Sequence, residues 1–131
     1  MARNELSSYA KTRASTAGPG QRVVMVYDGI IKNLKQAIAL MEELRPEHIE
    51  KVNNALQLAS RLVFELKMAL DMKNGGELAK RLEGLYDFWT DQISEANIKK
   101  DGKIVSQTLV MVEELRDSWD KADQEVRKSG K

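Results

Sequence analysis

The sequence predicts an all-α protein, because its long segments are rich in good helix formers and its apolar residues recur at helical spacing. Only two prolines and eight glycines occur among 131 residues. The apolar residues follow steps of three and four along four segments, and short breaks separate these segments. Four long helices joined by short loops pack most simply as an antiparallel four-helix bundle, which is the architecture that we expect.

The first helix is expected to begin at Pro19, because proline is already in a helical conformation and has no N–H to leave unpaired in the first turn. Pro46 disfavours a helical residue before it, so this helix should end near Leu44. Small and polar residues crowd positions 1–18, and they predict a flexible N-terminal arm. The apolar stripe of the first helix consists of Val23, Tyr27, Ile30, Leu34, Ala37 and Met41.

The second helix is predicted from Pro46 to Met72, and Asn74-Gly75-Gly76 should close it, since glycine readily adopts the left-handed conformation of a helix end. Its apolar arc is wider than the about 100° typical of a helix that faces one core. The helix is therefore either central in the core or lines a groove. The apolar residues that remain outside its core stripe are Leu58, Leu62, Phe64, Met68 and Met72.

The third helix is predicted over about Gly76 to Lys99, and Asp101 is a suitable N-cap for the fourth. The fourth helix carries an apolar stripe from Val105 to Val126, and charged residues after Ala122 should make its end fray. We therefore expect the bundle to cover residues 19–126 and residues 127–131 to form a disordered tail.

The composition argues against enzyme chemistry. The chain has no cysteine and one histidine, His48, so it lacks the residues of a thiolate zinc site or a multi-histidine metal centre. No serine has the sequence context of a nucleophile. A net charge of +1 gives no reason to expect nucleic acid, and no apolar run approaches a membrane span. We expect a cytoplasmic, non-enzymatic protein without cofactor, metal or membrane contact.

Two features favour a binding surface. Tyr27-Asp28-Gly29 places a glycine inside a helix, where it costs about 0.5–1 kcal/mol relative to alanine. Either close helix packing or the approach of a partner backbone would explain this glycine. The second feature is the apolar surplus of the second helix together with Tyr86 and Phe88, which either fills the core or forms a groove for an amphipathic helix.

The sequence resembles the FliS family of flagellar export chaperones over nearly its whole length. The resemblance lies in several motifs in the same order, which are Tyr9, Val24-Met25-Val26-Tyr27-Asp28-Gly29, Gly75-Gly76-Glu77-Leu78-Ala79, Leu85-Tyr86-Asp87-Phe88, Glu95-Ala96-Asn97 with Asp101, and Glu114-Leu115-Arg116-Asp117-Ser118-Trp119. It implies a helical bundle that binds the disordered C-terminal segment of flagellin, prevents premature polymerisation and assists delivery to the flagellar type III export apparatus.

The resemblance also implies that the arm covers part of the groove before flagellin binds, with Tyr9 as the lid and Leu6 as its neighbour. An export-gate protein or another flagellar regulator is a further partner to expect. We expect a monomer, and a dimer belongs to the alternative hypothesis of a self-associating helical adaptor that does not bind flagellin. The residues expected to line the groove are Tyr27, Asp28, Gly29, Leu58, Leu62, Phe64, Met68, Tyr86 and Phe88.

Overall fold

A computed structural model describes residues 18–129, which form an antiparallel bundle of four helices. Lys100, at the end of the third helix, donates a hydrogen bond to Asn53 near the start of the second, over 2.8 Å. Met41, near the end of the first helix, lies against Gly102 at the start of the fourth. The predicted all-α bundle is confirmed, and its helices are α1 (Pro19–Glu42), α2 (Pro46–Met68), α3 (Gly76–Lys99) and α4 (Gly102–Lys128).

The helices form a ring in which α1 packs against α2 and α4, while α3 packs against the same two neighbours. Their apolar stripes meet in one core. Tyr27 and Trp89 lie at its centre with no exposed surface, and their ring centroids are 6.1 Å apart in an edge-to-face arrangement. Such aromatic pairs stabilise a core beyond the area that they bury. Other fully buried side chains include Ile30, Leu34, Leu56, Val52, Val63, Val105 and Val112.

The second helix ends at Met68, so the predicted end at Met72 is wrong. The carboxylate of Asp71 accepts a hydrogen bond from the backbone N–H of Asn74 over 3.0 Å, which forms a local turn. Aspartate side chains compete in this way with the hydrogen bonds that would continue a helix. Gly76, with φ at +58°, begins α3, so the glycine pair sets the start of α3 rather than the end of α2.

The capping of α4 by Asp101 is confirmed, because its side chain accepts a hydrogen bond from the Lys103 N–H over 2.9 Å. In the structure α4 is helical as far as Lys128, and the fraying expected after Ala122 stays a prediction. Side-chain pairs one turn apart support this last part of the helix, and they are Gln124 with Asp120 and Arg127 with Asp123.

Candidate binding surfaces

Two of the residues predicted to line a groove lie in the core instead. Tyr27 has no exposed surface and Tyr86 is 2% exposed. Both belong to the buried stripes of α1 and α3, where their rings pack against each other at a centroid distance of 6.5 Å. Their side chains therefore offer no surface to a partner in this conformation.

A hydrogen-bonded network joins these two tyrosines to a third helix. The hydroxyls of Tyr27 and Tyr86 are 2.7 Å apart, and the indole N–H of Trp119 donates to the Tyr27 hydroxyl over 3.2 Å. Buried tyrosine and tryptophan side chains usually need such a partner for their polar atom. Helical spacing places Trp119 in the apolar stripe of α4, but it does not show which hydroxyl the indole N–H reaches, so this polar role could not be predicted from the sequence.

Burial is the largest cause that raises the pKa of both Tyr27 and Tyr86 above the ordinary tyrosine value. Their neutral forms therefore stabilise the fold below the unfolded-state pKa of about 10, and this stability is lost as the pH rises above it. In a Tyr9→Phe background these are the two remaining tyrosines of the chain. We expect phenolate absorbance to rise together with the loss of helicity in an alkaline titration. Phenolate that appears while the helices persist would contradict this.

Gly29 lies where α1 and α2 approach closely. Gly29 of α1 and Leu58 and Leu62 of α2 form a surface that we call the α1–α2 seam. A Cβ built on Gly29 would be 3.0 Å from Leu62 Cδ1. The carbonyl of Gly29 accepts a hydrogen bond from the Asn33 side chain over 2.8 Å. Close helix packing therefore explains this glycine within the chain itself. Leu58 is 42% exposed, so apolar surface remains at this seam.

Gly84 offers a matched comparison for Gly29, because it lies in exposed helix and nothing is within 4 Å of a Cβ built on it. We expect Gly84→Ala to raise the free energy of unfolding by about 0.5–1 kcal/mol through helix propensity. Gly29→Ala should gain less, because its methyl group displaces Leu62. Urea unfolding followed by circular dichroism measures both. Equal gains would show that the contact with Leu62 imposes no cost.

Asp28 faces α4 rather than α2. Its carboxylate accepts a hydrogen bond from Arg116 Nε over 2.8 Å. Arg116 also lies 3.3 Å from Asp117 and 3.7 Å from Asp120, and the hydrogen bond to Asp28 is the largest cause that raises its pKa. The carboxylate of Asp28 is therefore engaged within the fold. The partner was not identified in the sequence because 88 residues separate the two side chains.

The exposed apolar residues of α2 do not form one surface. Lys67 reaches Asp87 on α3 over 2.7 Å, which marks the side of α2 that faces α3. Successive helical residues are rotated by about 100°, so Phe64 lies toward that side whereas Leu58 lies on the opposite side, toward α1. Phe64 and Met68 are 55% and 66% exposed. We call these two residues the α2 outer face.

Phe88 belongs to a third surface. Asp87 contacts Lys67, so it lies on the side of α3 that faces α2. Phe88 is rotated by about 100° from Asp87 and lies on the other side of the α3 core stripe, which faces the second neighbour of this helix, α4. Phe88 is 44% exposed. Three partly buried apolar residues pack against the core on the facing sides of α3 and α4, and they are Leu85, Met111 and Leu115. Together with Phe88 they form a surface that we call the α3–α4 seam.

Charges are distributed unevenly among the seams. Ion pairs cross between α1 and α4 at Asp28 with Arg116 and at Lys35 with Glu113, and another joins Lys67 to Asp87 between α2 and α3. Among residues 18–129, no ion pair crosses the α3–α4 seam or the α1–α2 seam. These two apolar seams lie on opposite sides of the bundle.

The predicted lid residues Leu6 and Tyr9 lie outside the described residues. Within positions 18–129 no cluster of histidine or acidic residues has the arrangement of a metal site. None of the four helices is both long enough and apolar enough to cross a membrane. Apolar seams and an apolar face of the kind described above suit another polypeptide as a partner.

Comparison with known proteins identifies relatives along nearly the whole chain. A Vibrio cholerae protein named flagellar secretion chaperone FliS is 32% identical over 123 residues, which cover 90% of this chain and 88% of the relative. A Bacillus subtilis protein of the same name is 29% identical over 125 residues, covering 95% and 90%.

A solved structure described as a flagellar chaperone from bacteria superposes with a TM-score of 0.73. It covers 92% of this chain and 98% of its own, at 18% sequence identity, and so supports the fold alone. The family model described as flagellar protein FliS matches residues 2–126. With the relatives above, this match places the chain in the FliS family of flagellar secretion chaperones, which are not enzymes.

Proposed function

We propose that this chain is a cytoplasmic chaperone that binds the disordered C-terminal segment of flagellin and keeps it unpolymerised until export. The observation that carries the proposal is the half-exposed Phe88 in the α3–α4 seam, where no ion pair between described residues closes the two helices together. Full burial of an exposed phenylalanine side chain contributes about 1.5–3 kcal/mol, so a partner that covers the exposed 44% of Phe88 gains about 1 kcal/mol.

The physical logic is that of folding coupled to binding. A disordered segment becomes helical only when a partner surface offsets its loss of conformational entropy. Helices in apolar grooves are recognised through side chains at helical spacing, which the α3–α4 seam and the α1–α2 seam can each accept. Because these seams lie on opposite sides of the bundle, a segment that uses both must wrap around it.

The arm supplies the second part of the proposal. Tyr9, with Leu6 beside it, would compete with flagellin for apolar surface, so Tyr9→Ala should bind the flagellin segment more tightly than the unmodified chain. The arm joins α1 at Gly18, and α1 contributes to the α1–α2 seam.

Titration calorimetry of the full chain with the C-terminal segment of flagellin tests the proposal. We expect saturable binding at one to one with a negative heat-capacity change, the mark of apolar burial. Sedimentation of the chain alone should show a monomer. A tight dimer that ignores flagellin would instead favour the self-associating adaptor, and absence of any complex at tens of micromolar would refute flagellin binding. Adding a purified export-gate domain to the complex then tests delivery.

A further inference from the structure

The apolar stripe of α4 is longer than the core that it faces. Val105, Thr108 and Val112 are buried, and they all lie in the first half of the helix. Farther along, Trp119 is partly buried, whereas Val126 is 59% exposed. The predicted apolar stripe of α4 extends to Val126, whereas the fully buried residues of the helix end at Val112 and the next two apolar residues, Leu115 and Trp119, are only partly buried.

The second half of α4 is attached mainly to one neighbour. Arg116 pairs with Asp28 over 2.8 Å, and Trp119 donates to the hydroxyl of Tyr27 over 3.2 Å. One turn beyond, the carboxylate of Asp123 packs directly against Gly20. Most of these contacts go to α1. Trp119 also interacts with the Tyr86 hydroxyl of α3, but no ion pair within residues 18–129 ties this half to α3.

We propose that residues 116–128 of α4 form a latch, which opens from α1 as one unit while residues 102–112 and the other three helices stay folded. Local opening is easiest where few apolar side chains are buried and the contacts are partly exposed. The Arg116 and Asp28 side chains are 29% and 45% exposed, which weakens their attraction through solvent screening. Opening uncovers the Tyr27 hydroxyl and its contact with Tyr86.

This inference does not depend on the client, so its test uses the full chain alone. Hydrogen exchange followed by mass spectrometry should show amides in residues 116–126 exchanging at least about tenfold faster than those in residues 104–112. The rates should change abruptly near Leu115. Ordinary fraying would instead give a gradual change from the end of the helix, and this result would overturn the latch.

Variants of the α1 contacts distinguish a latch from a generally weak helix. Asp28→Asn and Tyr27→Phe should each speed exchange in residues 116–126 severalfold, while exchange in residues 104–112 and in α2 changes little. Asp28→Glu keeps the charge and should restore slower exchange. Lys35→Gln is the matched control, since it removes the 3.6 Å pair with Glu113 in the same seam but before the latch.

Two outcomes would refute the proposal. If Lys35→Gln speeds exchange in residues 116–126 as much as Asp28→Asn does, the effect reports general charge loss between α1 and α4. If Asp28→Asn raises exchange equally in both halves of α4, the helix opens as a whole and has no latch. Faster exchange confined to residues 116–126 in the Asp28→Asn and Tyr27→Phe variants supports it.

Discussion

Trp89→Ala is expected to lower the free energy of unfolding by about 3–5 kcal/mol, a large part of the 5–15 kcal/mol typical of a domain. Trp89 has no exposed surface, and its ring lies 5.5 Å from that of Tyr86 and 6.1 Å from that of Tyr27. Its truncation leaves a cavity beside the rings of Tyr27 and Tyr86. Urea unfolding followed by circular dichroism measures the loss.

The adjacent Phe88 provides the control, because it is 44% exposed on the same helix. Phe88→Ala should cost much less stability than Trp89→Ala. Trp89→Phe should also be milder, since it keeps a ring and removes an indole N–H that has no hydrogen-bond partner among the described residues. Equal losses for Trp89→Ala and Phe88→Ala would contradict the position assigned to Trp89 at the centre of the core.

Phe88→Asp is expected to weaken binding of the flagellin segment by more than tenfold, about 1.4 kcal/mol, while helicity stays the same. The substitution removes an apolar contact and places a charge that a partner helix would have to desolvate. Calorimetry with the flagellin segment measures the loss. Ser94→Asp adds the same charge at another exposed position of α3 and should bind normally. Unchanged binding by Phe88→Asp would remove the α3–α4 seam from the proposed site.

Leu62→Asp tests whether the flagellin segment also binds at the α1–α2 seam, where Leu62 lies against Gly29. If flagellin uses both seams, Leu62→Asp and Phe88→Asp should each weaken binding, and the double variant should weaken it further. Circular dichroism checks each fold. Loss of folding in Leu62→Asp would show that this half-buried side chain belongs to the core, and the seam would then need a milder variant such as Leu62→Ala.

Local signals allowed the helix starts to be predicted. Pro19 begins α1 and Asp101 caps α4, and each acts through its own backbone or its nearest neighbours. The end of α2 was harder, because the turn between Asp71 and Asn74 competes with a sequence that still has good helix formers. A short polar contact thus decided a boundary that apolar spacing had extended to Met72.

The candidate site could be predicted only in part. Periodicity gives the angle of a side chain around its own helix, but it does not show which neighbouring helix that side chain contacts. Leu58 and Phe64 both remained outside the core stripe of α2, yet one faces the α1 side and the other the α3 side. Tyr27 and Tyr86 matched core and groove positions equally well until their hydroxyls were seen to meet in the interior. The partners of Asp28 and Trp119 required knowledge of the packed helices.

The contacts between α1 and α4 also have a consequence for the order of folding. Asp28 with Arg116 and Tyr27 with Trp119 join positions 88 and 92 residues apart. Contacts between distant positions require closure of a long loop, and they slow folding relative to contacts between adjacent helices. We therefore expect the pairing of α1 with α2 to form early and the pairing of α1 with α4 to form last. During synthesis on the ribosome, the hydroxyl of Tyr27 can accept the hydrogen bond from the Trp119 indole only after the 92 residues that follow Tyr27 have been made.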